Sequence, residues 1–114
     1  MERSSKSCFV LTTTILLLTT NMAIFNIRVE LHGATYNDYE VLHTRLAQIS
    51  CLRTITSGTG IRYFLPTAEY HYEGNVTAEA VVEAVLAIAN AVRPNSSVLI
   101  SELTRAVWRG LRQV

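Results

Sequence analysis

Arg28, Glu30 and His32 occupy every second position of a short segment that could carry acid–base chemistry. Cleavage of RNA without a metal needs a base for the 2′-hydroxyl proton, an acid for the leaving oxygen and a cation for the charge on the phosphate. Histidine and arginine supply these groups best near neutral pH. These three residues are therefore the candidate catalytic set. A charge ladder across strands explains the same residues, and we weigh that structural interpretation above catalysis.

A second group of side chains could bind a single strand of RNA. Aromatic side chains stack on exposed bases in proteins that read single-stranded RNA, and arginines hold its phosphates. Aromatic residues at alternate positions are also ordinary strand residues, and that simpler explanation is favoured over stacking. If RNA is bound, the predicted contacts are Arg53, Arg62, Tyr63 and His71.

Metal and cofactor chemistry find little support in the sequence. Glu30, Asp38 and Glu40 could meet near the end of the first predicted strand, but no Glu-x-x-His or Cys/His spacing accompanies them. No phosphate-binding glycine loop, dinucleotide fingerprint, nucleophile elbow or zinc motif is present. We expect no metal and no cofactor, and we interpret Cys8 and Cys51 as free thiols in a reducing compartment.

The elements that must position these residues follow from hydrophobic periodicity. Residues 25–32 alternate apolar and polar side chains, which predicts a strand with the candidate catalytic set on its polar face. A helix is expected next, because residues 35–38 resemble a capping box that opens it. Its apolar stripe would be formed by Tyr39, Leu42, Leu46 and Ile49.

The remainder of the chain predicts a hairpin, a second helix and further extended segments. Residues 51–56 and 61–65 form the hairpin around the turn at 57–60, and residues 77–92 form the helix, which stops before Pro94. Residues 69–73 alternate only in part, so an edge extension or an irregular crossover is expected there. Residues 98–103 form a strand, and a turn at 104–105 would lead into a terminal strand over 106–111 carrying Trp108.

This order predicts an α+β protein with a ferredoxin-like β-α-β-β-α-β sandwich, in which two helices cover one face of an antiparallel sheet. The length of 114 residues and a hydrophobic content of 49% suit one domain over residues 22–114 with a sizeable core. The formal net charge is only +1. Binding to RNA would therefore need a local basic patch rather than an overall charge.

Residues 1–21 differ from the rest and resemble the basic start and apolar run of a signal peptide. The apolar run is short for a membrane span, and Leu18 lies where a cleavage site needs a small residue. The alternative is a start at Met22, which makes the upstream residues a mis-assigned extension. We favour this start, because the strand pattern begins directly after Met22.

Five blocks of the sequence resemble a known family, and the resemblance covers essentially residues 22–114. They are Arg28-Val-Glu-Leu-His32, Asp38-Tyr-Glu-Val-Leu-His43, Arg53-Thr-Ile-Thr-Ser57, Leu65-Pro-Thr-Ala-Glu-Tyr70 and Ser97-Val-Leu-Ile-Ser-Glu102. The chain is similar in block order and length to the GhoS-like antitoxins of bacterial type V toxin–antitoxin systems. That resemblance implies a ferredoxin-like fold, shared with small CRISPR-associated nucleases, and an endoribonuclease that cleaves the message of a membrane toxin.

The expected partners follow from these observations. We expect single-stranded RNA as the ligand of a bacterial, cytoplasmic protein, secreted only if residues 1–21 act as a signal peptide. A homodimer is expected, no DNA binding is inferred, and residues 22–114 are not expected to enter a membrane. The alternative is a non-catalytic dimeric module of the same fold that binds another protein through a sheet edge or its polar face.

Overall fold

The computed structural model describes residues 22–114, and in this range the chain forms five strands and two helices. The elements, numbered here in chain order, are β1 (Ala23–Glu30), α1 (Tyr36–Ala47), β2 (Thr54–Thr56), β3 (Arg62–Phe64), β4 (Glu69–Gly74), α2 (Ala78–Val92) and β5 (Ser97–Leu103). The fold is α+β with a ferredoxin-like arrangement, as the sequence predicts. The predictions for residues 1–21 and for Cys8 lie outside the described residues.

Strand β1 is the centre of an antiparallel sheet in the order β4-β1-β5. Its alternation divides the two faces of the sheet: Phe25, Ile27 and Val29 are buried toward the helices, whereas Arg28 and Glu30 are exposed on the opposite face. We call this opposite side the open face. The alternation predicted from the sequence is therefore the feature that separates the core from a polar surface.

The hairpin of β2 and β3 continues the sheet beyond β4. Two hydrogen bonds between the backbones of Leu52 and His71, at 2.9 and 2.7 Å, attach the chain before β2 to β4. Beyond β3, Gln113 forms an isolated bridge with Tyr63, so the last residues of the chain lie at the far side of the hairpin. The segment 104–114 thus leaves β5 at one side of the sheet and ends beside β3 at the other.

Local signals define both helices. Thr35 and Asp38 form the predicted capping box of α1, with reciprocal hydrogen bonds of 3.2 and 2.9 Å. The backbone N–H of Thr35 and the Arg93 guanidinium, 2.8 Å away, hold the pKa of Asp38 below its ordinary value. Since Arg93 follows the last residue of α2, this ion pair joins the start of α1 to the end of α2. Both helices pack on the sheet through Leu42, Leu46, Val81, Val85 and Ala89.

Three predictions about elements were wrong in detail. Residues 69–73 are not an edge extension or a crossover but most of β4, which is hydrogen-bonded to β1 and bridged to the hairpin. Pro66 and Gly74 do not interrupt it, because the proline precedes the strand and the glycine is its last residue. An alanine Cβ at Gly74 would lie 2.5 Å from the Tyr72 hydroxyl oxygen, so the close ring of Tyr72 accounts for the glycine. Ile49 lies beyond α1 and is exposed.

The predicted terminal strand over residues 106–111 is also absent. Residues 104–112 are irregular, and Trp108 is half-buried whereas Val107 is 64% exposed. Ile55 is 8% exposed yet lies outside the core beneath the helices, and with Trp108 it lines a cleft on the open face.

No helix among residues 22–114 has the length and apolarity needed to cross a bilayer. Cys51 is a buried free thiol.

Candidate nucleic-acid interface

Charge is divided unevenly along the described part of the chain. Residues 41–68 and 103–114 contain six arginines and no Asp or Glu, whereas the rest of residues 22–114 contains two arginines and eight acidic residues. The fold brings parts of the two basic stretches together, because the hairpin pairs with the end of the chain. A local basic patch therefore exists on a protein whose net charge is close to zero.

We define the basic surface as the arginines of β3 and the C-terminal segment, together with the aromatic rings among them. Arg112 places its guanidinium carbon 4.3 Å from the centre of the Phe64 ring. Its carbonyl accepts a 2.8 Å hydrogen bond from Phe64, and the N–H of Val114 donates to the carbonyl of Arg62 at 3.0 Å. The members of the basic surface are Arg62, Tyr63, Phe64, Arg105, Trp108, Arg109 and Arg112.

This pairing places Arg62, Phe64 and Arg112 on one side of the hairpin. Phe64 lies opposite Arg112, and Arg62 is two residues before Phe64 on the same strand, so their side chains share a face. Tyr63 points to the other side and meets Trp108 edge to face, with ring centres 5.7 Å apart. Cations beside aromatic rings are a combination that binds single-stranded nucleic acids, and here such groups lie on both sides of the hairpin.

A cleft of about 210 Å³ adjoins the basic surface. Its floor is the open face of the sheet, with Ile24, His71 and Glu73, and its wall is the C-terminal segment, with Arg105 and Trp108. Trp108 is half-buried and belongs to both the wall and the basic surface. The cleft lies on the side of the hairpin that carries Tyr63, whereas Arg62, Phe64 and Arg112 lie on the other side. Arg105 and Trp108 are the members of the basic surface that line the cleft.

His71 and Glu73 form a hydrogen-bonded pair on the cleft floor. The His71 Nε2 atom lies 2.9 Å from the Glu73 carboxylate, and the histidine side chain is only 16% exposed. An ionised carboxylate can only accept, so Nε2 carries the proton and neutral His71 leaves Nδ1 as an acceptor. A histidine oriented in this way can bind a polar ligand or take a proton from one.

The predicted catalytic set lies elsewhere on the open face. Arg28 makes a 3.5 Å ion pair with Glu69, Glu30 is exposed at the end of β1, and Nε2 of His32 lies 3.2 Å from the Ser97 hydroxyl. His71 pairs with Asn26, six residues before His32, which corresponds to roughly 20 Å along a strand. The structure brings Arg28 to the same face as His71 but leaves His32 far from the basic surface.

The four predicted RNA contacts are also divided. Arg62 and Tyr63 lie in the basic surface and His71 lies in the cleft. Arg53 belongs with a different cluster: its charge acts on His43 and on Tyr70, the fully buried residue of β4 that packs in the core. The hydroxyl of Tyr70 lies 2.7 Å from Nδ1 of His43, and burial raises the pKa of Tyr70.

Acidification is expected to destabilise the protein through His43. Burial, with help from the positive charge of Arg53, lowers the pKa of His43 below its ordinary value of 6.5. Between that lowered pKa and 6.5 the unfolded chain binds more protons than the folded protein. The contribution of neutral His43 to the free energy of unfolding is therefore fully present above pH 6.5. It falls as the pH is lowered below 6.5, by at most about 1.4 kcal/mol per pH unit. Urea unfolding of the wild type and of His43→Gln between about pH 7.5 and about pH 5.5 measures this loss.

The glutamine variant serves as the control, because it keeps a polar side chain but does not titrate. Its stability should depend less steeply on pH than that of the wild type. Equal pH dependence in the two proteins would show that other groups cause the loss.

Several residues of this surface are not evident from the sequence. Glu73, Arg105, Arg109 and Arg112 were not predicted as contacts, and Trp108 was predicted only as part of a terminal strand. The absence of carboxylates from the two basic stretches is the signal that could have identified the arginines. Trp108 and Glu73 line the same cleft because of the path of the C-terminal segment. No sequence pattern indicates that path.

Among residues 22–114, no group of three or more His, Cys, Asp and Glu side chains is placed to hold a metal ion. The chain matches no protein-family model, and comparison with curated proteins and with solved structures finds no significant match.

Proposed function

We propose that the protein binds single-stranded RNA through the basic surface. The observation that supports this most strongly is the separation of charge, which leaves the hairpin and the C-terminal segment with four arginines and no Asp or Glu. Arginine forms charge-assisted hydrogen bonds with phosphate, and neighbouring aromatic rings offer stacking partners to the bases. A single strand suits the surface better than a duplex, because only unstacked bases can reach the rings.

Binding of a labelled single-stranded RNA of mixed sequence, followed by fluorescence anisotropy, tests this proposal. The double variant Arg62→Gln, Arg112→Gln removes the two guanidinium groups that flank Phe64. We expect it to weaken binding about tenfold or more, since each arginine–phosphate interaction is a hydrogen bond between charged groups. The dependence of log affinity on log salt should also become shallower, by about 0.7 for each phosphate that the variant no longer neutralises.

A matched control for the single variant Arg112→Gln is Arg45→Gln, which removes the same charge from an exposed position of α1. If the basic surface is the site, this control retains most of the affinity. If it loses as much as Arg112→Gln, a general charge effect explains the binding. Failure of the wild type to bind any single-stranded RNA would overturn the proposal outright.

Cleavage of the bound RNA is a further part of the proposal, and it comes from the resemblance to GhoS-like antitoxins. Its biological form would be a cytoplasmic antitoxin that acts on the message of a toxin, in a compartment where the thiol of Cys51 stays reduced. Incubation with RNA in the presence and absence of a chelator, beside the variant Arg28→Ala, His32→Ala, tests the predicted catalytic set. Intact RNA under all conditions would leave a binding protein without nuclease activity.

A second candidate function rests on the outer side of β5. This strand pairs only with β1 among the described residues, so its other backbone edge is unpaired, and its Leu99 side chain is 62% exposed on the open face. An edge of this kind can accept a strand from a second copy or from another protein. Sedimentation of the purified protein would separate a dimeric module from a monomer.

A further inference from the structure

We propose that the cleft between the open face and the C-terminal segment binds one unpaired guanine base of the RNA strand. This inference rests on the proposed RNA binding, and it adds a sequence preference that the basic surface cannot supply. Contacts to phosphate are the same for every sequence, whereas contacts to the edge of a base distinguish one base from another. The cleft contains the groups that such discrimination needs.

The walls of the cleft suit a flat, aromatic ligand. Trp108 offers a ring on one side, held by its edge-to-face contact with Tyr63, and Ile24, Ile55 and Leu103 provide apolar surface. The volume of about 210 Å³ is below the range of about 300–1,000 Å³ that is typical of pockets for drug-sized ligands. A single ring system is therefore the size of ligand that fits.

The negative charge on the floor of the cleft favours a nucleotide whose base, rather than its phosphate, lies inside the cleft. Glu73 lines the floor and carries a negative charge, which repels a phosphate. Arg105 also lines the cleft, where it can bind the phosphate of a nucleotide whose base lies inside. Glu73 on the floor and Arg105 in the wall therefore orient the nucleotide with its base inward and its phosphate outward.

The carboxylate also selects among the bases. Guanine presents two adjacent N–H donors on its Watson–Crick edge, which match the two acceptor oxygens of a carboxylate, as the parallel donors of arginine do. Adenine and cytosine each present one donor beside an acceptor, and uracil presents one donor between two acceptors, so each of them would place an acceptor against the negative charge. The hydrogen bond from His71 Nε2, at 2.9 Å, holds the Glu73 carboxylate in position and leaves lone pairs on both oxygens.

The full chain supplies its own probe, because Trp108 is its single tryptophan. A uridine-only RNA and the same RNA with one central guanosine, adenosine or cytidine would be titrated while anisotropy reports binding and Trp108 fluorescence reports occupation of the cleft. We expect the guanosine-containing RNA to bind at least about fivefold tighter than the other three, because a bidentate contact discriminates by this much or more. It should also produce the largest change in Trp108 fluorescence.

The variant Glu73→Gln keeps the size of the side chain but replaces one acceptor with a donor. It should abolish the preference for guanosine and leave binding of the uridine-only RNA within about twofold of the wild type, since the basic surface is unchanged. Glu102→Gln is the matched control, because this exposed carboxylate on β5 is paired in register with the inward-facing Phe25 and so lies on the other face of the sheet. It should retain the preference.

The outcomes separate the two proposals. Equal binding of all four RNAs would overturn the guanine site and leave RNA binding by the basic surface intact. A guanosine preference that survives Glu73→Gln would place the selection elsewhere and would also overturn the site. If none of the RNAs binds, both proposals fail together.

Discussion

Replacement of Tyr70 by alanine is expected to lower the free energy of unfolding by about 3–5 kcal/mol. Tyr70 lies in β4, is fully buried, and belongs to the core between the sheet and the two helices. Its removal leaves a cavity in the core that also contains Leu42 and Leu46, and it deprives His43 of its hydroxyl partner. Since small domains are stable by only about 5–15 kcal/mol, this loss would consume a large part of the total.

The companion variant Tyr70→Phe separates the two contributions. It keeps the ring and the packing but removes the hydroxyl, which leaves Nδ1 of the partly buried His43 without its 2.7 Å partner. We expect a cost of about 1 kcal/mol, the usual net value of such a hydrogen bond. Urea unfolding at neutral pH, followed by circular dichroism, measures both variants. A cost for Tyr70→Ala no greater than that for Tyr70→Phe would show that the ring is not a core element.

The core of this fold was largely predictable because both of its periodicities are regular. The alternation in β1 predicts the inward residues Phe25, Ile27 and Val29, and the stripe of α1 predicts Leu42 and Leu46. Strand β4 was harder, because Pro66 and Gly74 near its ends resemble interruptions. Tyr70, the largest fully buried side chain, was not predicted as a core residue for the same reason. A tyrosine between Glu69 and His71 resembles a surface residue, and its partner, His43 on α1, is distant in sequence.

The candidate site was less predictable than the core, because it joins parts of the chain that no local pattern connects. Arg62 and Tyr63 were predicted and lie in the basic surface, whereas Arg109 and Arg112 reach it only because the C-terminal segment pairs with β3. The C-terminal residues 106–111 resemble a strand because Val107 and Trp108 are β-prone and follow a predicted turn. In the structure Ala106 and Trp108 line the same cleft as Ile55, and the Trp108 ring meets Tyr63, the register partner of Ile55.

Loss of the C-terminal segment is expected to lower both the affinity for single-stranded RNA and the free energy of unfolding. Deletion of residues 104–114 removes three arginines and Trp108, so the affinity for single-stranded RNA should fall about a hundredfold or more. The same deletion uncovers Ile55 and removes the ring that packs against Tyr63, which should lower the free energy of unfolding by roughly 1–3 kcal/mol. The core beneath the helices contains no residue of this segment, so the helices and β1 should remain folded.

A second variant keeps the segment but replaces Arg105, Arg109 and Arg112 with glutamine. It separates the effect of the arginine charges from the effect of shielding Ile55 from solvent. It should lose most of the RNA affinity while its free energy of unfolding changes little, because the arginines are exposed and none makes an ion pair among the described residues. The deletion should lose both properties. If the glutamine variant binds RNA as the wild type does, the segment acts only as a cover for the sheet and the basic surface is not where RNA binds. If it unfolds as readily as the deletion, the arginines stabilise the hairpin, and the stacking of Arg112 on Phe64 is then the contact to examine by Phe64→Leu.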